Sequence, residues 1–142
     1  MSRSEWQQFV LTGTRTGKLA VTRSNGAPHV TPVWFVLDAA GEQDFVIFNT
    51  GKDSVKGKAL ARDPRFGLAV DDQAPPFSFA LLEAEAELID DQDQKLAWAT
   101  RIGARYMGAD QGEDFGKRNA VPEEYLVRGR ITRVTALADL TA

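Results

Sequence analysis

Five cations within residues 50–65, here called the basic segment, are the residues best suited to bind an anion. They are Lys52, Lys56, Lys58, Arg62 and Arg65, opposed only by Asp53 and Asp63, although the whole chain has a formal net charge of -3. Asp53 or Ser54 can cap a helix that ends before Asp63-Pro64, because a residue preceding proline is disfavoured in the helical conformation. Its free N–H groups, with Ser54 and Lys56, would suit a phosphate. The alternative is a solvated basic helix face, and this segment alone does not distinguish the two.

The sequence contains none of the conventional catalytic motifs considered below. The chain has no cysteine and one histidine, His29, which disfavours disulfides, thiol chemistry and a metal site of the zinc type. Two glycine–lysine pairs, Gly13 to Lys18 and Gly51 to Lys58, have the wrong spacing for a Walker loop, and the motifs of serine hydrolases, zincins and Rossmann units are missing. His29 could act as a general base, but a lone histidine on a strand more often has a structural or ligand-contacting role.

Several aromatic residues could contact a flat ligand. Trp34, Phe77 and Phe79 lie on predicted strands, where aromatic side chains more often belong to the core. Tyr106, at the end of a predicted helix, could donate a proton to a product or could merely anchor the helix. No local feature decides between these interpretations.

The elements that position these residues are mostly strands. Residues 17–23 and 29–38 are rich in Val, Phe, Trp and Thr, and Ser24-Asn25-Gly26 between them predicts an antiparallel hairpin. Pro32 cannot donate to a ladder, so the second strand should lie at an edge or carry a bulge there. A third strand, 44–50, leads directly into the basic segment. Further strands are predicted over residues 65–70, 77–89 and 125–135, and the row Glu83, Glu85 and Glu87 in 77–89 indicates one solvent-exposed face.

Two more helices are predicted besides the one in the basic segment. Ser4 can cap a short helix carrying Trp6, Phe9 and Val10, which would close one end of the core. Asp90 and Asp91 favour the start of a longer helix over Gln92–Met107. Residues 108–122 are charged and punctuated by glycine, which predicts a loop or a mobile flap.

About six strands joined mostly by short turns predict a small antiparallel barrel, mainly β with a few helices (α+β), in a single domain over residues 1–142. A pI near 5.2 argues against nucleic-acid binding. No stretch approaches the roughly 20 apolar residues of a membrane helix, and the N-terminus does not look like a signal peptide. We therefore expect a soluble cytoplasmic protein with no membrane or nucleic-acid partner.

Four sequence blocks, in this order and spacing, resemble one family over residues 12–135. They are TRTGKLAVTRSNGAPHVTPVWFVLD, FNTGKDSVKGKALARDPRFGLAVDD, PPFSFALLEAEAEL and WATRIGARYMG. The chain resembles the pyridoxamine-5'-phosphate-oxidase-like, coenzyme F420-dependent oxidoreductases of the actinobacterial flavin/deazaflavin oxidoreductase superfamily. The resemblance implies a split β-barrel homodimer with two cofactor sites at the subunit interface.

The same resemblance implies a role for each candidate site residue. The cofactor phosphate would lie on Ser54, Val55 and Lys56, with Asn49, Thr50 and Lys52 alongside. The deazaflavin ring and ribityl chain would lie against His29, Pro32, Val33 and Trp34, and Phe77 and Phe79 would reach in from the partner subunit. Some relatives carry arginine where this chain has Ser54, and Lys52, Lys58 and Arg62 could compensate for that charge or meet the polyglutamate tail of the cofactor.

The function implied by the resemblance is hydride transfer from reduced coenzyme F420 to an apolar, conjugated small molecule such as a quinone, an enone or a tetrapyrrole. The proton that completes the reduction would come from Tyr106 or from solvent, and we favour solvent because no perturbed donor is evident. Similar barrels hold other groups, so two alternatives stay open. One is an FMN-dependent oxidase or reductase, and the other is a carrier that binds F420 or a tetrapyrrole without turnover.

Overall fold

The computed structural model describes Met1–Ala142 and contains four helices and seven strands. The helices are α1 (Arg3–Leu11), α2 (Val55–Arg62), α3 (Gln92–Met107) and α4 (Gly112–Asn119). The strands are β1 (Gly17–Thr22), β2 (Pro28–Val33), β3 (Val36–Asp38), β4 (Phe45–Gly51), β5 (Arg65–Asp72), β6 (Ser78–Ile89) and β7 (Glu124–Leu137). None of the helices is both long enough and apolar enough to cross a membrane.

The seven strands form one antiparallel sheet in the order β2-β1-β5-β6-β7-β4-β3. Its two edge strands, β2 and β3, follow one another along the chain and are separated only by Trp34 and Phe35. A connection this short forces the two edges together, so the sheet curls into a barrel with an unpaired seam between β2 and β3. The predicted antiparallel split barrel, mainly β with helices, is confirmed.

The strand predicted over residues 29–38 is in fact two strands, which is why the count is seven rather than about six. Pro32 lies opposite Lys18 in the edge strand β2, as its missing N–H group requires. After Val33 the chain leaves β1, Phe35 inserts fully into the core, and Val36 then pairs with Ile47 of β4. Trp34 therefore lies at the seam rather than within a strand.

The interior of the barrel is filled by one cluster of apolar side chains that includes Leu19, Phe48, Leu68 and Leu82. The alternation in β6 is as predicted, with Ala80, Leu82 and Ala84 buried, whereas its glutamates are exposed. Helix α1 adds Trp6 and Val10 to this cluster, so it closes one end of the core as expected. Its cap is Ser2 rather than Ser4, because Ser2 and Glu5 form a reciprocal capping box.

Helix α3 lies on the outside of the barrel and buries a second apolar cluster. Ile102 packs there with Ile47 of β4, Leu126 of β7 and Ile89. The predicted bounds of this helix are confirmed, and Asp91 caps it by accepting a hydrogen bond from the Gln94 amide at 3.0 Å.

Residues 108–122 do not form the predicted loop or flap, because α4 occupies most of them. The glycines that suggested a loop instead permit close packing of α4 on α3. A Cβ on Gly112 would lie 2.9 Å from the Cβ of Ala104, and one on Gly103 would lie 2.6 Å from the Cβ of Phe115. Any larger residue at these positions would push the two helices apart.

Candidate functional site

A cavity of about 210 Å³ opens beside the seam of the barrel, where β2, β4, β7 and the three helices α2, α3 and α4 meet. Its lining residues are Pro32, Val33, Trp34, Asn49, Lys56, Ile102, Asn119 and Glu124. The first five of these are sequence-predicted site residues. Asn49 and Lys56 were expected to bind the cofactor phosphate, and Pro32, Val33 and Trp34 were expected to contact the ring. A larger groove of about 580 Å³ on the outer face of β1, β5 and β6 contains none of them.

One end of the cavity is the start of α2. Ser54, one of the two predicted caps, caps this helix, since its Oγ accepts a hydrogen bond from the Gly57 amide at 3.0 Å and donates to the Gly51 carbonyl at 2.7 Å. Thr50 is buried with its Oγ1 3.1 Å from the same hydroxyl. The first N–H groups of a helix lack internal partners, and the cap satisfies only that of Gly57. The amides of Val55 and Lys56 therefore stay available to an anion.

Gly57 is what allows this tight helix start. A Cβ at this position would collide with the carbonyl group of Gly51. The signal in the sequence was Gly51 and Gly57 around a capping serine, but it is recognisable only when strand β4 is known to end at Gly51.

Of the five cations in the basic segment, Lys56 is the one that lines the cavity. Lys52 Nζ lies 2.6 Å from Asp90 Oδ2 and above the ring of Tyr125. Arg62 donates to the Thr22 carbonyl at 2.7 Å. Arg65 pairs with Asp63 at 2.8 Å, and the hydrogen bonds from Arg65 hold the pKa of the Asp63 carboxyl at about 2. Most of the basic segment therefore fastens α2 to its surroundings.

The other end of the cavity is aromatic. Trp34 stacks on Tyr106 with ring centroids 5.0 Å apart and planes 6° apart, and the ring centroid of Phe115 in α4 lies 5.8 Å from that of Trp34. Trp34 is still 36% exposed, which leaves ring surface for a ligand. A flat apolar group could stack or pack against it.

The hydroxyl of Tyr106 is already engaged by the backbone. It donates to the Arg15 carbonyl at 2.8 Å and accepts from the Phe35 amide at 3.2 Å. Burial raises the pKa of this hydroxyl. Arg105 binds backbone in the same place, donating to the carbonyls of Phe35 at 2.6 Å and Val10 at 2.8 Å. The geometry favours the anchoring role of Tyr106 over proton donation.

Sequence reasoning missed Glu124 and Asn119, which bring unexpected polarity to the cavity. Glu124 Oε2 and Asn49 Nδ2 are both buried without a hydrogen-bond partner. Burial raises the pKa of the Glu124 carboxyl, which Lys56 and Lys95 partly oppose. No motif marks these residues, because Glu124 reaches the site only through its pairing with Gly51 across β4 and β7.

Seven of the twelve predicted site residues do not line this cavity within one chain. Thr50, Lys52, Ser54 and Val55 lie beside it around the start of α2, whereas His29, Phe77 and Phe79 lie elsewhere. His29 lies on β2 with its Nδ1 3.0 Å from an Arg23 guanidinium nitrogen. Phe77 lies just before β6 and Phe79 is its second residue. Phe77 is 38% exposed with φ 56°, a conformation that a phenylalanine rarely adopts. The expected entry of both phenylalanines from a partner subunit stays a prediction.

The residues present fit a ligand with a flat ring at one end and an anion at the other. Free amides, Lys56 and the unpartnered amide group of Asn49 supply donors and positive charge, whereas Pro32, Val33 and Trp34 supply an apolar surface. Pockets that enclose a whole ligand usually measure about 300–1,000 Å³. A cavity of about 210 Å³ is smaller than that, so it would enclose only part of such a ligand.

A split antiparallel barrel with a polar and aromatic cavity at its seam is the architecture of the cofactor-binding split-barrel class. A family model described as pyridoxamine 5'-phosphate oxidase matches residues 3–137. The chain therefore belongs to the pyridoxamine 5'-phosphate oxidase family, as its resemblance predicted. No curated protein sequence matches it.

Solved structures share the fold at low sequence identity. The conserved hypothetical protein Rv2991 from Mycobacterium tuberculosis aligns with a TM-score of 0.80 and 24% identity, over 96% of this chain and 84% of that protein. An F420 reductase aligns with a TM-score of 0.68 and 20% identity, over 90% of this chain and 94% of its own. A FAD-binding protein from Mesorhizobium loti aligns with a TM-score of 0.65 and 17% identity, over 96% of this chain and 94% of that protein. The fold thus occurs with more than one type of cofactor.

Proposed function

We propose that this protein is an F420-dependent reductase that passes reducing equivalents to an apolar, conjugated acceptor of the quinone, enone or tetrapyrrole type. The observation that carries the proposal is the cavity, which joins the free amides of α2 and Lys56 to the exposed face of Trp34. An F420 reductase of the same fold supports the choice of cofactor. Family membership supports the coarser statement, an oxidoreductase-type cofactor-binding barrel.

At the α2 end, the residues bind and orient. Lys56, the amides of Val55 and Lys56, and the Asn49 side chain would hold the cofactor phosphate, because charge-assisted hydrogen bonds to an anion are the strongest that these groups can make. Ser54 and Thr50 would act indirectly, since their hydroxyls shape the helix start that binds the phosphate. Lys52 is less directly placed, because it must leave Asp90 before it can meet a ligand.

At the seam end, the residues exclude water and fix the plane of the ring. Reduced deazaflavin, when bound, supplies a hydride to the acceptor. Pro32, Val33 and Trp34 would hold that ring, and the stack of Trp34 on Tyr106 limits the orientations open to the indole. Since the Tyr106 hydroxyl is engaged by Arg15 and Phe35, we assign the proton to solvent.

The second half of each site would come from another copy of the chain. The single-chain cavity is small, and Phe77, Val30, Leu137 and Leu140 are large apolar residues left 38%, 59%, 50% and 51% exposed. A homodimer in which Phe77 and Phe79 approach the partner's cavity would cover part of this surface. We propose that arrangement on the resemblance of the chain to its family.

Parallel fluorescence titrations with F420 and with FMN test the cofactor. We expect tighter binding of F420, and clearly tighter binding of FMN would reverse the choice in favour of an FMN-dependent enzyme. The protein saturated with reduced F420 is then mixed with a quinone, an enone and biliverdin, and F420 oxidation is followed by absorbance. Tight binding without oxidation by any acceptor would indicate a carrier.

Lys56→Ala tests the anion end of the cavity. We expect weaker F420 binding and a flatter salt dependence, because one charge that meets the phosphate is lost. Lys18→Ala is the matched control, since Lys18 pairs with Asp71 away from the cavity. Equal effects of the two substitutions would show that Lys56 is only part of a basic surface.

A further inference from the structure

A carboxyl group lies where the cavity is best suited to an anion. Glu124 begins β7 and pairs across the ladder with Gly51 of β4. A Cβ built on Gly51 would stand 3.7 Å from Glu124 Oε2 and equally 3.7 Å from the Cβ of Ser54, the cap of α2. The carboxyl oxygen therefore lies beside the helix start, and Lys56 of the first turn lines the same cavity.

This oxygen is not neutralised by the protein. Glu124 Oε2 is buried without a hydrogen-bond partner, and no ion pair joins the carboxyl to a lysine or arginine. The charged groups that act on it are Lys56 from α2, Lys95 from α3 and its own neighbour Glu123. The β4 and α4 residues that line the cavity beside it, Asn49 and Asn119, carry no charge. Burial outweighs the two lysines and raises the pKa of the carboxyl.

We propose that Glu124 makes anion binding at this cavity proton-linked, so that the anion binds while Glu124 is neutral and one proton is taken up from solvent. Two negative charges in contact in a buried site cannot both stay ionised at low cost. A protonated carboxyl also gains an O–H donor, which can serve an oxygen of the anion. The inference rests on the proposed function only for the identity of the anion, the cofactor phosphate.

The first experiment compares the Kd for F420 of the wild type and Glu124→Gln between pH 6 and pH 8. Glutamine keeps the size of the side chain and mimics its neutral form. We expect the ratio of the wild-type Kd to the variant Kd to rise with pH, by up to about tenfold per pH unit. Because the ratio cancels the titration of the ligand, a ratio that is independent of pH overturns the inference. A ratio that falls with pH also overturns it and would mean that ionised Glu124 accepts a ligand hydroxyl.

A second measurement does not depend on the variant. Calorimetric titration of the wild type with F420 in two buffers of different ionisation enthalpy gives the number of protons exchanged. We expect uptake of up to one proton, and uptake smaller by that amount in Glu124→Gln. Equal proton exchange in the two proteins contradicts the proposal.

Inorganic sulfate separates this inference from the proposed function, because sulfate does not titrate in this pH range. Sulfate should raise the wild-type Tm more at pH 6 than at pH 8, and should raise that of Glu124→Gln equally at both. If this holds and F420 does not bind, the proposed function fails and the proton linkage stands. If F420 binds but neither anion shows linkage, the linkage fails and the proposed function stands.

Discussion

Two polar regions meet at the start of β7 and differ in how far their buried polar groups are hydrogen-bonded. In the region under α3, the buried Lys95 ammonium is 2% exposed and has three acceptors: Asp90 Oδ1 at 2.7 Å and the carbonyls of Val121 and Glu124 at 3.0 and 3.2 Å. In the cavity, Glu124 Oε2 and Asn49 Nδ2 have no partner. Glu124 belongs to both regions, since its carbonyl is held by Lys95 while its carboxyl oxygen is left free.

The difference distinguishes polar groups that the fold satisfies from polar groups that, in our proposal, a ligand satisfies. A buried polar group without a partner costs free energy, about 1–3 kcal/mol. The fold satisfies Lys95 three times but leaves Asn49 and Glu124 unpaired, so it retains that cost in the cavity. A ligand that offers oxygen atoms to the cavity would recover it by accepting hydrogen bonds from Asn49 Nδ2 and from protonated Glu124.

Lys95→Met removes the buried ammonium group of the region under α3 and has the largest expected effect on stability. The carbonyls of Val121 and Glu124 lose the donor that Lys95 supplies, although Val121 keeps the Glu124 amide at 3.1 Å. We therefore expect the free energy of unfolding to fall by about 2–3 kcal/mol. Denaturant unfolding followed by tryptophan fluorescence measures it. Lys117→Met is the control, because Lys117 is exposed in α4, and a similar loss in both variants would contradict a special role for Lys95.

Tyr106→Phe tests whether the hydroxyl of Tyr106 serves the fold or the cavity. The ring faces Trp34 in the cavity, but the hydroxyl is bound by backbone groups. We expect a loss of about 1 kcal/mol in unfolding free energy from the missing hydrogen bonds. Turnover with F420 should stay within about threefold, because solvent supplies the proton. Tyr125→Phe is a matched control for stability. If turnover instead falls by about 100-fold or more while F420 binding is unchanged, Tyr106 is the proton donor after all.

Glu124→Gln in the ligand-free protein gives the smallest effect. The pKa of Glu124 is raised in the folded state, so its neutral form contributes stability that is present below the unfolded pKa near 4.5 and is lost as pH rises through the folded pKa. The variant should therefore be more stable than the wild type at pH 8, with the difference in unfolding free energy shrinking as pH falls. Thermal unfolding between pH 4 and pH 8 tests this. A pH-independent difference would show that the carboxyl does not titrate with folding.

Much of the fold was predictable because its signals are local. The Asn25-Gly26 turn, the alternation around Leu82 and the cap at Ser54 each depend on a few neighbouring residues, and each prediction is confirmed. The residues 108–122 were predicted wrongly because Gly112 and Gly116 were taken as a sign of loop flexibility. Their function is to bring α4 close to α3, which depends on residues in another helix.

The candidate site was only partly predictable for the same reason. The basic segment was identified by composition, but Lys52, Arg62 and Arg65 are bound by Asp90, Thr22 and Asp63. Composition shows that cations are present and does not show which partner each one meets. Only the packing of α2 against β4 selects Lys56 for the cavity.

The sequence by itself determined the antiparallel barrel, the position of α2 after β4 and the polarity of its first turn, because strand alternation, turn chemistry and helix capping are short-range properties. The tertiary structure decided that Trp34 lies at the seam, that Lys56 is the cation facing the cavity, and that Glu124 lies beside it. The ladder between β4 and β7 brings Gly51 and Glu124 together across more than half of the chain. The charge of the site is set by such long-range contacts, which no local pattern contains.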